Sequence, residues 1–116
     1  MDNSEKSALY QLHAEFCKTL ADANRLLIIN ELSKGEVSVS DLVHRLELHQ
    51  SNVSKHLAIM RERGLVMTRR EGATIFYSLS DPRISQAIKL LRDVKADQVE
   101  KQRALAHSIP ELSTSR

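Results

Sequence analysis

Cysteine occurs once in these 116 residues, tryptophan not at all, and glycine and proline only three and two times. A lone thiol, Cys17, excludes an intrachain disulfide and fits a reducing compartment. Aromatic side chains make up 3% of the chain, too few for a single-strand nucleic-acid platform, which works by stacking bases on rings. No phosphate-cradling loop can be assembled from the glycines, and no Ser-His-Asp order has a supporting context, so nothing points to an enzyme. No apolar run approaches the roughly 20 residues of a membrane span, and the opening "MDNSEKSALYQL" lacks the pattern of a secretory leader. These absences leave the expectation of a soluble, cytoplasmic chain that contacts no membrane.

An excess of one charge is missing too, since the formal net charge is only +2. The distribution says more than the sum. Between positions 55 and 70 stand five basic residues (Lys55, Arg61, Arg63, Arg69, Arg70) and one acid, Glu62. A local basic stripe is the electrostatic footprint of a polyanion-binding face. The length suits one domain, here residues 1–108, followed by a polar tail at 109–116 that is interrupted by Pro110 and expected to fray. A chain this short buries only about two-thirds of its unfolded surface, so a second copy is a natural supplement to its core.

Apolar periodicity supplies the elements. Residues 5–20 place Leu9, Leu12, Phe16 and Leu20 three and four apart, the spacing of an amphipathic helix. "ADANRLLIINEL" predicts a second helix, capped by Asp22, with Leu26, Leu27, Ile29 and Leu32 buried and Gly35 beyond its end. "VSVSDLVHRLEL" reads as a brief extended piece and a short helix capped by Ser40, with Leu42, Val43 and Leu46 as its apolar residues. After a turn at "LHQ", Ser51 is the expected cap of a fourth helix running to about Arg63, and Gly64 stops it. The period then changes: "LVMTRR" and "TIFYSL" predict a two-stranded hairpin turning on Gly72. Asp81 and Pro82 open a last helix carrying Ile84, Ala87, Ile88, Leu91 and Val94. The result is a mainly α chain in the order α-α-α-α-β-β-α, a winged helix-turn-helix arrangement.

With Val53, Leu57 and Met60 anchoring the fourth helix, its other face offers Ser51, Asn52, Ser54, Lys55, His56 and Arg61, with Gln50 beside them. Short polar and cationic side chains of this kind read base edges in the major groove or grip the phosphates alongside. In helix-turn-helix proteins the first turn of the second helix makes those contacts. Arg69 and Arg70, near the hairpin turn, are placed to reach a backbone or a minor groove. A solvated polar face explains Asn52 and Ser54 equally well one at a time; the basic hairpin that follows tips the balance toward duplex DNA.

"LADANRLLIINEL", "SVSDLVHRLELHQSNVSKHLAIMRERGLV" and "RREGATIFYSLSDPR" together resemble the ArsR/SmtB repressor family over roughly residues 10–95. The resemblance implies a homodimer joined through its first and last helices. It also implies binding to an inverted-repeat operator and repression of a nearby gene until an effector releases the protein. The family's metal sites do not carry over. Its thiolate site resembles a cysteine pair around "VCDL", and here Ser38 and Ser40 stand in that stretch, hydroxyls that bind soft metals poorly. Of its zinc site Asp81 remains, but Arg83 and Val94 fall where histidines are needed, and Asp97 alone cannot complete a tetrahedron. Relatives that sense reactive sulfur need two cysteines where this chain has Asn30 and Ala96.

No cofactor or metal is therefore expected. His13 and Cys17, four apart on the first helix, are the one pair that invites a sensing role, and they need further ligands from elsewhere; the plainer reading makes Cys17 a small buried apolar residue. The competing functional reading is a winged-helix module that binds protein without DNA. Against it stands the basic stripe, since a protein-docking face more often shows aromatics and aliphatics.

Overall fold

The computed structural model describes residues 1–108; the expected tail at 109–116 lies outside the described residues. In chain order the elements are α1 (Asn3–Leu20), α2 (Ala23–Leu32), β1 (Val37–Ser38), α3 (Val39–Leu46), α4 (Gln50–Glu62), β2 (Val66–Glu71), β3 (Thr74–Leu79) and α5 (Arg83–Ser108). They fall into two compact units, Met1–Ser85 and a second that begins at Gln86.

Within the first unit, α2 packs on α3 and α4, and α4 continues onto β2. The core is Ile28, Ile29 and Leu32 of α2, Val37, Leu42 of α3, Val53, Leu57 and Met60 of α4, and Leu65 and Val66 at the hairpin base. Each fully buried aliphatic here contributes about 1.5–3 kcal/mol relative to exposure. Asp22 caps α2 as expected, its Oδ1 accepting from the amides of Asn24 at 2.9 Å and Arg25 at 3.1 Å. The phase of α2 differs from expectation: Leu26 and Leu27 are 37% and 47% exposed, while Ile28 is fully buried. Four consecutive aliphatics carry no phase of their own, so the neighbouring helices decide which of them turn inward.

Two caps also differ. Ser38, not Ser40, caps α3: its backbone is extended and its Oγ accepts from the Asp41 amide at 3.2 Å, whereas Ser40 is already helical. Helix α4 opens at Gln50 with His49 in the cap position and no side-chain cap bond, so Ser51 is a helical residue and not the expected cap. The far end of α4 closes as expected on Gly64 (φ 78°). The Leu65 amide donates to Met60 O at 2.8 Å and the Gly64 amide to Arg61 O at 3.1 Å, the paired bonds of a Schellman motif.

The hairpin pairs Val66 with Leu79 through to Glu71 with Thr74, leaving Gly72 (φ 62°) and Ala73 at the tip. It is not simply two-stranded: β1 adds a third, antiparallel strand, Val37 opposite Tyr77 and Ser38 opposite Phe76, in the order β1-β3-β2. Ser80 Oγ donates to Gly64 O at 2.6 Å and to Leu65 O at 3.1 Å, fastening the base of the wing. Asp81 Oδ1 accepts from the Arg83 amide at 2.9 Å and so starts α5, as expected. No residue of α5 is buried in the single chain, and no helix among the described residues is long and apolar enough to cross a membrane.

Candidate nucleic-acid interface

The buried stripe of α4 is Val53, His56, Leu57 and Met60, spaced three, one and three residues apart. That spacing defines one face of a helix, and the opposite face is what remains for a ligand. Gln50, Ser51, Asn52, Ser54, Lys55 and Arg61 are all exposed. None of their side chains has a hydrogen-bond or ion-pair partner among the described residues. At the same end the His49 carbonyl accepts from the amides of Asn52 and Val53, so the amides of Gln50 and Ser51 point out of the helix without intrahelical partners. Free amides, the positive end of the helix dipole and a lysine within two turns together form an anion-attracting surface. Arg61 lies roughly 15 Å further along the axis than Ser51, reaching a different part of an extended polyanion than the first turn does.

His56 is the exception among the residues expected to face a ligand. It is 8% exposed, because its position, three after Val53 and four before Met60, lies on the anchoring stripe. Its Nδ1 accepts from Arg25 Nε at 3.2 Å, and its Nε2 lies 3.9 Å from Asp22 Oδ1. Accepting at Nδ1 leaves the ring proton on Nε2, facing the Asp22 carboxylate. Arg25 in turn donates from Nη1 to the Thr19 carbonyl at 2.9 Å. The Asp22 carboxyl is held below the usual carboxylate range, first by the hydrogen bond from the Arg25 amide, against the cost of burial. This cluster ties the middle of α4 to the start of α2 and the end of α1. Nothing in the local spacing of polar residues announces Asp22 and Arg25 as its members; the interior position of His56 was the one available signal.

In the wing the two arginines are not equivalent. Arg70 is exposed, with no side-chain partner among the described residues. Arg69 grips the Glu36 carboxylate and is also bonded to Glu71 Oε2 at 3.0 Å. Its guanidinium carbon lies 4.9 Å from the centroid of the Phe76 ring. Glu36 was not visible as a partner from the sequence, being 33 positions away.

The remaining candidate residues do not converge. His13 and Cys17 are exposed, so the expectation of a buried Cys17 is not met; the His13 ring stacks on Tyr10 at 6.4 Å. Helix α1 buries only Thr19, which leaves its stripe, Cys17 beside it, without a cover in the single chain. Among the described residues no group of three or more His, Cys, Asp or Glu side chains could hold a metal. Ser38, in the stretch where a thiolate pair was sought, spends its hydroxyl as a helix cap. Both Asp81 oxygens are taken by Arg83, at 3.1 Å from Nε and 2.7 Å from Nη2.

Comparison with known proteins matches residues 22–68 to the bacterial regulatory proteins of the arsR family. The transcriptional activator HlyU of Vibrio cholerae is 47% identical over 74 residues, 64% of this chain and 68% of that protein. The transcriptional repressor PagR of Bacillus anthracis is 43% identical over 84 residues, 71% of this chain and 83% of that protein. Among solved structures, the homodimeric winged helix-turn-helix DNA-binding domain Mb0332 of Mycobacterium bovis superimposes with a TM-score of 0.76. It is 27% identical, and the match covers 86% of this chain and 93% of that one.

Proposed function

Because this chain belongs to the arsR family of bacterial regulatory proteins, we propose that the exposed face of α4 enters the major groove of an inverted-repeat operator while the wing rides on the adjacent backbone. The protein is a transcriptional regulator that binds DNA, and it is not an enzyme. The observation that carries the groove assignment is the unpartnered polar first turn of α4 set on a fully buried Val53/Leu57/Met60 anchor. Gln50, Ser51, Asn52 and Ser54 read base edges, Lys55 and Arg61 hold phosphates, and the free amides at the head of α4 add a neutral phosphate contact.

Two copies act together in this reading, as they do in Mb0332. The exposed Leu9, Leu12 and Phe16 of α1 and Leu90, Leu91 and Val94 of α5 are apolar stripes that a second copy covers. A two-fold axis then sets the two recognition helices about 34 Å apart, one turn of duplex. Two of the residues at the sought ligand positions, Ser38 and Asp81, spend their oxygens on partners within the chain, which supports DNA binding without a metal.

The direct test is a gel shift of the purified protein on its own promoter region against random duplex across a salt series. A sequence-preferring complex at two protomers per site is expected. The absence of any such preference at low salt would sink the proposal. Exposed polar faces of this kind do not favour the protein-only reading.

A further inference from the structure

The wing presents two adjacent arginines, and strand alternation sends them to opposite faces, Arg69 opposite Phe76 and Arg70 opposite Ile75. On its face all three guanidinium nitrogens of Arg69 donate to carboxylates. Its Nε donates to both Glu36 oxygens at 3.2 and 3.1 Å, its Nη2 to Glu36 Oε1 at 2.6 Å, and its Nη1 to Glu71 Oε2 at 3.0 Å. The flat of the guanidinium covers Phe76. Lysine cannot reproduce that planar fork together with the ring contact. One cation set between two carboxylates also makes the cluster net negative, so it repels a phosphate unless the arginine leaves.

Glu36 belongs to the turn before β1, whereas Arg69 and Phe76 belong to β2 and β3. The bidentate pair therefore spans from the turn that follows α2 to the middle of the wing. The charges reinforce each other: the Arg69 hydrogen bond is the first cause holding the Glu36 carboxyl below its usual range, and the Glu36 hydrogen bond is the first cause pushing the Arg69 guanidinium above its own.

We propose that Arg69 is a positioning residue, a brace that sets the angle of the wing through Glu36, and that Arg70 alone of the pair meets the DNA backbone. This rests on the DNA-binding reading above, with one readout that does not. The brace fixes where the wing lies before DNA arrives, so that Arg70 reaches its phosphate without an ordering cost at the moment of binding.

Glu36→Gln separates the possibilities by sign. If Arg69 is a brace, the neutral amide loosens the wing, and operator affinity falls by about threefold, a half-exposed pair being worth that little. If Arg69 instead contacts phosphate, removing a nearby negative charge frees it and affinity holds or rises, which would overturn the proposal. Across a salt series Arg70→Ala is expected to flatten the dependence of binding on salt, by about 0.9 for each phosphate no longer neutralised. Arg69→Ala and Arg69→Lys are expected to weaken binding at every salt concentration with the slope unchanged; a slope that falls with Arg69→Ala as it does with Arg70→Ala contradicts the brace. Amide hydrogen exchange on the free protein needs no DNA: β2 and β3 are expected to exchange severalfold faster in Glu36→Gln. Unchanged exchange sinks the brace, whereas faster exchange in a protein that shows no operator preference sinks the DNA reading and leaves the brace standing.

Discussion

Lys55 and Asn52 lie three residues apart on the exposed face of α4, and the proposed interface gives them different chemistry. An ammonium on a phosphate carries no sequence information, and its energy comes from counterion release. An amide can pair with an adenine edge through both its donor and its acceptor. Lys55→Ala is therefore expected to weaken binding to operator and random duplex alike and to reduce the salt slope by about 0.9 for the phosphate it neutralises. Asn52→Ala is expected to narrow the gap between the two duplexes, a gap worth about 1–3 kcal/mol for each base read. Titrations on both duplexes at several salt concentrations check the pair of outcomes, and equal losses for Asn52→Ala contradict base reading. His56 behaves differently from both. Its removal takes the acceptor from Arg25 Nε at a part-buried site, so His56→Ala is expected to cost about 1 kcal/mol of folding stability. Thermal denaturation reads that loss, with no change in base preference among molecules that remain folded.

At the scale of elements, α4 is an exposed polar face mounted on an apolar base. Leu57→Ala removes a fully buried side chain and is expected to cost about 2–5 kcal/mol, measured by chemical denaturation. The loss is stability first and DNA binding only as a consequence. The start of α5 answers to acid. The Asp81 carboxyl is held at about 2, against an ordinary 3.8, first by the Arg83 side chain and then by the Arg83 amide. A carboxylate depressed in the folded state stabilises that state above its ordinary value, and the contribution is lost as pH falls toward the folded one. Asp22 and Glu36 shift in the same direction. Stability is thus expected to decline below about pH 4, and Asp81→Asn to lower the unfolding midpoint at neutral pH while flattening its dependence between about pH 4 and 2.

For the whole molecule, the single chain leaves large apolar side chains in water on two helices. Leu12 and Leu91 are 63% and 71% exposed, and patches of this sort mark association surfaces. Leu12→Glu and Leu91→Glu are each expected to shift the protein toward monomer in sedimentation and to abolish the operator complex, since in the proposed two-copy arrangement each half-site holds one recognition helix. Helical content is expected to survive, because neither residue belongs to the α2–α4 core. A monomer that still binds the full operator at unchanged affinity would contradict a two-copy complex. Chelator treatment is expected to leave operator affinity unchanged, as is Cys17→Ser, an exposed and conservative change for which the expected effect is within about ±0.5 kcal/mol.

Much of this was legible from spacing alone. Alternation and the 3.6-residue repeat decide which stretches are helix and which are strand, because they act between neighbours along the chain. The anchoring set Val53, Leu57 and Met60, the stop at Gly64, the turn at Gly72 and the Asp22 cap all follow from local rules of that kind. What tertiary structure alone decided were choices between locally equal options. It selected Ile28 over Leu26 and Leu27 within an unbroken aliphatic run, Ser38 over Ser40 as the cap of α3, and a third strand from a two-residue segment. The same holds for His56 and Arg69, both polar enough to face DNA by sequence. Each is engaged by a partner about 30 positions away, Arg25 and Glu36. A charged side chain goes where its hydrogen bonds can be completed, and only the folded chain brings those partners within reach.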